Sequence, residues 1–372
     1  MQKFIDGFSR FFVGGLFIFS GLIKLNDPAG TAIKMEEYFE VFEQDFGSYF
    51  HVFIPWALEI SIVLIVLEVV LGIAILLFYR MKTTTWILMV LMLFFTFLTF
   101  YSAYYEKVTD CGCFGDAIKL TPWVSFWKDA FLLIFVSHLF WYRKRYQAVL
   151  RTMEGHAVIT AAVVLSLFLE VYAIRHLPFI DFRAYKVGNN IPKQMVPAEQ
   201  PVIEYVFEKN GEEVRSPKFL AAEEGYVYKS SRVVNEDKIK AKITDYFVTT
   251  PDGEDLTQAT FQGLKLLIVI VDVRKASVKN IGAIRLLTED LEGKVDCLVL
   301  TASPAENMEV FRHENQLAVP YAFADATVLK TIIRSNPGIA LWNDGTVLGN
   351  WHHNDTPSSK EVFELLSFCG LK

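Results

Sequence analysis

Residues 84–116 read TTWILMVLMLFFTFLTFYSAYYEKVTDCGCFGD. The stretch 84–105 carries no charge and is long enough to cross a bilayer as a helix, which takes about 20 residues. Directly behind it comes Asp110-Cys111-Gly112-Cys113-Phe114-Gly115-Asp116, holding two of the four cysteines of the 372-residue chain. A further apolar segment, 123–142, follows. Working outward, similar segments lie near 4–25, 54–79 and 156–176, so five spans are predicted. The first ends in Gly21-Leu22-Ile23-Lys24-Leu25 with no small-residue cleavage site, and reads as a retained signal anchor rather than a cleaved leader. The chain is 52% hydrophobic, with the excess in its first half, and its net charge of -6 offers nothing to nucleic acid.

Loop charges predict the orientation. The turn with Arg80 and Lys82 is basic, as is the stretch with Arg143, Lys144, Arg145 and Arg151. The segment after the first span is acidic, with Glu36, Glu37, Glu40, Glu43 and Asp45. Basic loops stay in the cytoplasm, so the N-terminus is expected there. The Cys111/Cys113 loop and the C-terminal half are then expected outside, periplasmic if the membrane is an inner membrane. Trp56, Trp123 and Trp127 fall near that outer boundary, where an aromatic belt belongs. The thiol pair would therefore sit where disulfides persist.

Two thiols one residue apart can close a disulfide, and Gly112 between them permits the tight backbone this needs. So small a ring is strained, which makes it a readier oxidant than a structural bridge. As a staple it is poor, because closing a loop of one residue removes almost no chain entropy. As a metal site it is short of ligands: two thiols and two carboxylates with no nearby histidine, so no metal is expected. Asp110 and Asp116 raise the thiol pKa unless a cation such as Lys107 or Lys119 offsets them. The redox reading is favoured, with Cys111 and Cys113 as the exchanging pair.

Charges within the spans form a second constellation, since a charge at membrane depth faces a partner or a cavity. Lys24 and Glu59 are expected at similar depth, and Arg10 within reach of Glu68. These four, with Lys128 and Asp129 near the top of the fourth span, either hold the bundle together as ion pairs or line a polar pocket beneath the cysteine loop. Such a pocket would serve a quinone headgroup or a proton path. Phe94, Phe95, Phe97 and Phe100 read as packing or lipid-facing residues, and Glu170 as interfacial.

After residue 176 the composition changes. Prolines and short β-like runs (Val202 to Phe207 and Tyr226 to Tyr228) point to a β-rich connector over 177–240, with a hairpin turn at Asn210-Gly211. From 241 onward strands and helices alternate. Leu264 to Val273 reads as a buried strand, 275–292 as a helix, Cys297 to Leu300 as a strand, 304–315 as a helix, Gly338 to Trp342 and Val347 to Trp351 as a hairpin, and 358–369 as a closing helix. This order looks like a thioredoxin fold, with Ser335-Asn336-Pro337-Gly338 at its cis-proline position. A redox-active domain of that kind carries Cys-x-x-Cys after its first long strand. Here that place reads Asp272-Val273-Arg274-Lys275-Ala276-Ser277, with no cysteine. Cys297 is expected to be an inert core thiol, Cys369 has no assigned role, and a bridge between the two stays open.

Arg10, Gly15, Gly21 and Lys24 in the first span, Asp27-Pro28 after it, Glu68 and Gly72 in the second, and Cys111-Gly112-Cys113-Phe114-Gly115-Asp116 together resemble the DoxX/MauE family of redox-associated membrane proteins. The resemblance covers about 4–142, and the remainder looks like the extension of Bacteroidetes DoxX-like proteins. It implies an accessory protein in periplasmic thiol–disulfide processes, with MauE itself associated with methylamine dehydrogenase maturation. The expected architecture is a four-helix bundle (1–142), a basic loop and fifth span (143–176), the connector (177–240) and a thioredoxin-like domain without Cys-x-x-Cys (241–372). The expected function is disulfide or electron transfer at the outer membrane face through Cys111 and Cys113, with onward passage of electrons to a quinone expected by analogy with membrane thiol oxidases. The alternative is a non-catalytic scaffold or assembly factor of an envelope complex. Expected partners are the bilayer and a periplasmic client or envelope subunits.

Overall fold

In the computed structural model, residues 2–108, 112–197, 199–209, 211–220, 225–235, 239 and 241–371 are described. The chain divides into two compact units, residues 1–183 and 184–372.

The first unit is helical. Its helices are α1 (Gln2–Asn26), α2 (Pro28–Phe46), α3 (Ala57–Leu76), α4 (Met81–Tyr105), α5 (Pro122–Trp141) and α6 (Thr152–Arg175), with a 3-10 segment Ser48–Trp56 leading into α3. All but α2 are long and apolar enough to span a membrane, the 3-10 segment being continuous with α3. The chain is therefore that of a multi-pass membrane protein.

Proline and glycine punctuate the helices. Asp27 caps α2, accepting from the Gly30 amide at 2.9 Å, and Pro28 takes the first helical position, where no amide donor is missed. Gly47, at φ 128°, ends α2. Pro122 opens α5 in the same way.

Helices α1, α3, α4 and α5 share one core, built from Val13 and Phe17, Leu71 and Ile75, Leu88 and Met92, and Leu132 and Val136. Without a hydrophobic force between helices in lipid, close backbone approach does the work. A Cβ on Gly72 would lie 2.9 Å from the Gly14 carbonyl, and one on Gly21 would strike the Val69 side chain at 2.5 Å. These contacts lay α1 antiparallel against α3, with Gly14 near Gly72 and Gly21 near Val69. A Cβ on Gly15, one residue along, would meet nothing within 4 Å.

The acidic segment after α1, expected to be a loop, is the helix α2. Its apolar positions Ala32, Tyr38 and Phe42 are buried, at a spacing that returns to one helix face, while Glu36, Glu40 and Glu43 lie elsewhere on the helix.

In the second unit, a short helix α7 (Ile191–Gln194) precedes a three-stranded antiparallel sheet in the order β2-β1-β3, formed by β1 (Ile203–Lys209), β2 (Glu212–Ser216) and β3 (Val227–Val233). The expected turn residue Asn210 lies outside the described residues, and the strands flanking it pair Lys209 with Glu212.

A six-stranded sheet follows, ordered β4-β7-β6-β5-β8-β9. Its strands are β4 (Val248–Thr249), β5 (Leu264–Ile270), β6 (Asp296–Thr301), β7 (Tyr321–Ala324), β8 (Gly338–Asn343) and β9 (Thr346–His352). Strands β5, β6 and β7 are parallel, and β8 and β9 form an antiparallel hairpin against β5. Leu266 through Ile270 are all fully buried, as a central strand covered on both faces must be. Helices α8 (Ile281–Asp290), α9 (Ala305–Asn315), α10 (Ala326–Ile332) and α11 (Ser359–Phe368) complete the unit. Ile284, Leu287, Met308, Val362 and Leu366 from three of these helices pack on one face of the sheet with Leu266 and Ile268. The β-α-β then β-β-α order makes this α/β unit thioredoxin-like. Strand β7 and helix α10 are additions that the sequence reading missed. Only Ala322 and Ala324 of β7 are buried, too short a signal for a strand.

Candidate functional site: a polar pocket under the cysteine loop

A cavity of about 290 Å³ opens inside the membrane unit. Its walls come from α1, α2, α3, α4, α5 and the loop residues Gly112 and Cys113. Most of that wall is apolar: Phe17, Met35, Leu64, Ile65, Met92, Phe95 and Leu132 among others. Set into it are Ser20, Lys24, Lys34, Glu68, Thr99, Lys128 and Asp129.

The centre is a buried ion pair. Lys24 Nζ lies 2.5 Å from Glu68 Oε1, both side chains nearly removed from solvent. The Ser20 hydroxyl stands 3.1 Å from Glu68 Oε2 and 2.9 Å from the Cys113 carbonyl, able to donate to either. One hydroxyl thus joins the ion pair to the cysteine loop. Across the cavity, Lys128 Nζ contacts Asp129 Oδ1 at 3.0 Å, and Thr99 Oγ1 donates to Asp129 Oδ2 at 3.2 Å. Lys128 also lies 5.0 Å from the centre of the Phe114 ring, and Lys24 5.4 Å from that of Phe95, so aromatic faces share the load of holding cations away from water.

The loop is a tight turn. Gly112 and Gly115 take positive φ, 66° and 49°, and the Gly115 amide donates to the Gly112 carbonyl at 3.1 Å. A side chain on Gly112 would meet the Lys34 stem at 3.3 Å, so α2 sits directly against the loop. Cys113 is disulfide-bonded, whereas Cys297 and Cys369 are free thiols. Cys111 and Asp110 lie outside the described residues.

Of the six charged residues expected to form a pocket, the structure brings four together: Lys24, Glu68, Lys128 and Asp129. Two expectations are corrected. Arg10 does not reach Glu68; its guanidinium donates to the Leu76 carbonyl and stacks over Phe78 at 4.5 Å. Glu59 does not pair with Lys24; it is exposed in the first turn of α3. The packing at Gly14–Gly72 and Gly21–Val69 is the cause. Arg10 lies toward the far end of α3, where it meets the Leu76 carbonyl, and the Gly21–Val69 contact brings Lys24 to Glu68, the residue next to Val69. Lys107, a candidate to offset the loop carboxylates, contacts Asp45 at 3.3 Å.

Sequence reasoning missed Ser20, Thr99, Lys34 and the whole contribution of α2. The signals were present: Asp27-Pro28 is a helix start, and Met35, Tyr38, Phe39 and Phe42 keep to one helix face. Glu170 also departs from expectation. It is fully buried in α6, and neither carboxyl oxygen has a hydrogen-bond partner.

In the thioredoxin-like unit, the segment at the end of β5 is a 3-10 turn, Val273–Lys275. The Asn336–Pro337 peptide is cis, as expected. Asn336 Oδ1 accepts from Val271 at 3.1 Å and its Nδ2 donates to the Asp272 carbonyl at 2.9 Å. The cis-proline loop therefore meets residues 271–277, which hold no cysteine. Burial pushes the Cys297 thiol up to about 11, helped by the negative charges of Asp296 and Glu292. Among the described residues, no group of histidine, cysteine and carboxylate side chains has metal-holding geometry.

Residues 2–142 match the family described as Methylamine utilisation protein MauE. No curated protein matches the chain. Among solved structures, a candidate thioredoxin from Neisseria meningitidis (solution structure) is similar at 16% identity, TM-score 0.28, over 34% of this chain and 87% of that one. Strand order, rather than that likeness, makes the second unit thioredoxin-like. Four of the five apolar helices, the buried pair on α1 and α3 and the Cys113 loop lie within the matched segment, so the part of this chain that is similar to the MauE family is its membrane bundle.

Proposed function

We propose that this is an inner-membrane thiol–disulfide redox accessory protein that exchanges disulfide equivalents at the periplasmic face through Cys111 and Cys113. The carrying observation is that disulfide-bonded Cys113 lines the same cavity as the buried Lys24–Glu68 pair, with Ser20 between them. In the exchange, a client thiolate attacks one sulfur of the pair, the S–S bond breaks, and the departing thiolate takes a proton. A second client thiolate resolves the mixed disulfide, so the client leaves oxidised and the pair remains as a dithiol. Returning the pair to the disulfide passes two electrons and two protons to a membrane quinone, which becomes the quinol.

The cavity suits that acceptor. Its apolar walls accept a ring, and the ammonium groups of Lys24 and Lys128, each with protons beyond the one its carboxylate takes, supply donors to ring oxygens. Glu68 and Asp129 add two carboxylates to the same wall. The thioredoxin-like unit, without cysteines at residues 271–277, would bind the client and perform no exchange. That missing thiol pair also favours a second reading, a scaffold or assembly factor whose partners dock on the degenerate domain.

Trapping separates the two. In cells, Cys111→Ser and Cys113→Ser, each alone, are expected to accumulate a mixed disulfide detectable by alkylation mass shift. The double variant is expected to lose the oxidised client. No captured species in either single variant, with function intact in the double variant, leaves the scaffold reading standing.

A further inference from the structure

Between α3 and α4 a second cavity, a groove of about 410 Å³, is lined by Leu67, Trp86, Ile87, Val90, Leu91 and Phe94. All six side chains are apolar, and Trp86, Val90 and Phe94 stand exposed on a face that the bilayer covers. Phe94 belongs to the walls of both the groove and the polar cavity. The other lining residues continue the seam. On α3, groove residue Leu67 sits one step from cavity residues Leu64 and Glu68; on α4, Ile87, Leu91 and Phe94 lead along one helix face to Phe95, Leu98 and Thr99. From Trp86 to Phe94 the groove runs about 12 Å along α4, at 1.5 Å per residue.

An apolar groove that meets a polar cavity at one aromatic side chain matches a ligand with a long hydrocarbon tail and a hydrogen-bonding head. We propose that the α3–α4 groove holds the isoprenoid tail of a membrane quinone whose ring enters the polar cavity past Phe94. This rests on the reading that the cavity receives the quinone ring. The tail contacts would make Leu67, Ile87 and Val90 selective for tailed over tail-less ring compounds, and entry is sideways from the lipid rather than from water.

The test uses the full chain in nanodiscs free of quinone, with tryptophan fluorescence quenching by decylubiquinone and by tail-less ubiquinone-0. Trp86 in the groove should be quenched by the tailed compound, and Trp86→Phe should remove that part of the signal. Val90→Trp and Ile87→Trp, which fill the groove from its lipid side, should each weaken decylubiquinone binding about tenfold and leave ubiquinone-0 unchanged. Equal effects on both compounds, or no effect on either, overturn the proposal. So does displacement of decylubiquinone by phosphatidylglycerol at matched membrane concentration, which makes the groove an ordinary lipid contact. The same titration on Cys111→Ser/Cys113→Ser keeps this inference apart from the exchange chemistry. Retained, groove-dependent binding supports the tail site even if trapping fails, and active exchange without tail dependence sinks the tail site alone.

Discussion

The two units handle polar groups in opposite ways. The thioredoxin-like unit has a fully apolar centre, Leu266 through Ile270 against Ile339 and Leu341, and its one half-buried thiol, Cys297, is held in the neutral form. The membrane unit, surrounded by lipid, places Lys24, Glu68, Asp129 and Thr99 inside its bundle and sets a disulfide-bonded cysteine above them. Burying charge costs several kcal/mol per ion unless pairing and hydrogen bonds repay it. The unit that buries the ion pair is the one with the disulfide-bonded cysteine; the thioredoxin-like unit has no cysteine at residues 271–277. A thioredoxin-like fold and a disulfide-bonded cysteine thus lie in different units of one chain.

The sharpest way to break this contrast is to remove one member of the buried pair. Glu68→Leu leaves Lys24 uncompensated and should cost about 3–5 kcal/mol in denaturant unfolding of the micelle-solubilised protein. Lys24→Met/Glu68→Leu should recover most of that loss. A single variant that unfolds like the wild type would mean that the pair is not held out of water.

A second measurement probes the opposite unit. With its thiol raised to about 11, Cys297 is roughly one part in a thousand thiolate at pH 8, against about a quarter for an ordinary thiol near 8.5. Iodoacetamide should therefore modify Cys297 some hundredfold more slowly than a free peptide thiol, and the rate should rise about tenfold per pH unit up to pH 11. Fast labelling at pH 8, read by mass spectrometry, would show a reactive site where none is expected.

Smaller effects refine the picture within the membrane unit. Glu170 is buried without a partner, so Glu170→Leu removes an unpaid desolvation cost and should be neutral or stabilising by about 1–2 kcal/mol, measured by the same unfolding assay. A loss instead would point to a bonding role for its carboxyl. Glu59, exposed and outside the cavity, should tolerate Glu59→Gln with no measurable change in unfolding or in client oxidation.

Much of this was legible in the residues. Uncharged runs such as 84–105 read as spans because membrane insertion depends on local composition over about 20 residues. The strand at Leu264 and the hairpin of Gly338 to Trp342 with Val347 to Trp351 read clearly because they combine buried aliphatic runs with a short turn that only certain residues adopt. Helix α2 was hidden because its glutamates drew the eye to charge, while its apolar face at Ala32, Tyr38 and Phe42 carried the structural message. Of the cavity residues, the charged ones were found because charge at membrane depth is rare; Ser20 and Thr99 were not, because a hydroxyl in a membrane helix has a satisfactory bond to its own backbone and no need of a partner.

The sequence by itself determined that the chain crosses the membrane, that a thiol pair lies between two spans, and that residues 271–277 hold no cysteine, since each is a property of composition along a line. Only the tertiary structure decided which charges meet. Lys24 takes Glu68 and not Glu59, and Arg10 takes the Leu76 carbonyl, because Gly14 and Gly21 let α1 lie close against α3, Gly14 at Gly72 and Gly21 at Val69. Partner choice among charges several residues apart depends on that helix-to-helix offset, which backbone contact sets and no spacing within one helix reveals.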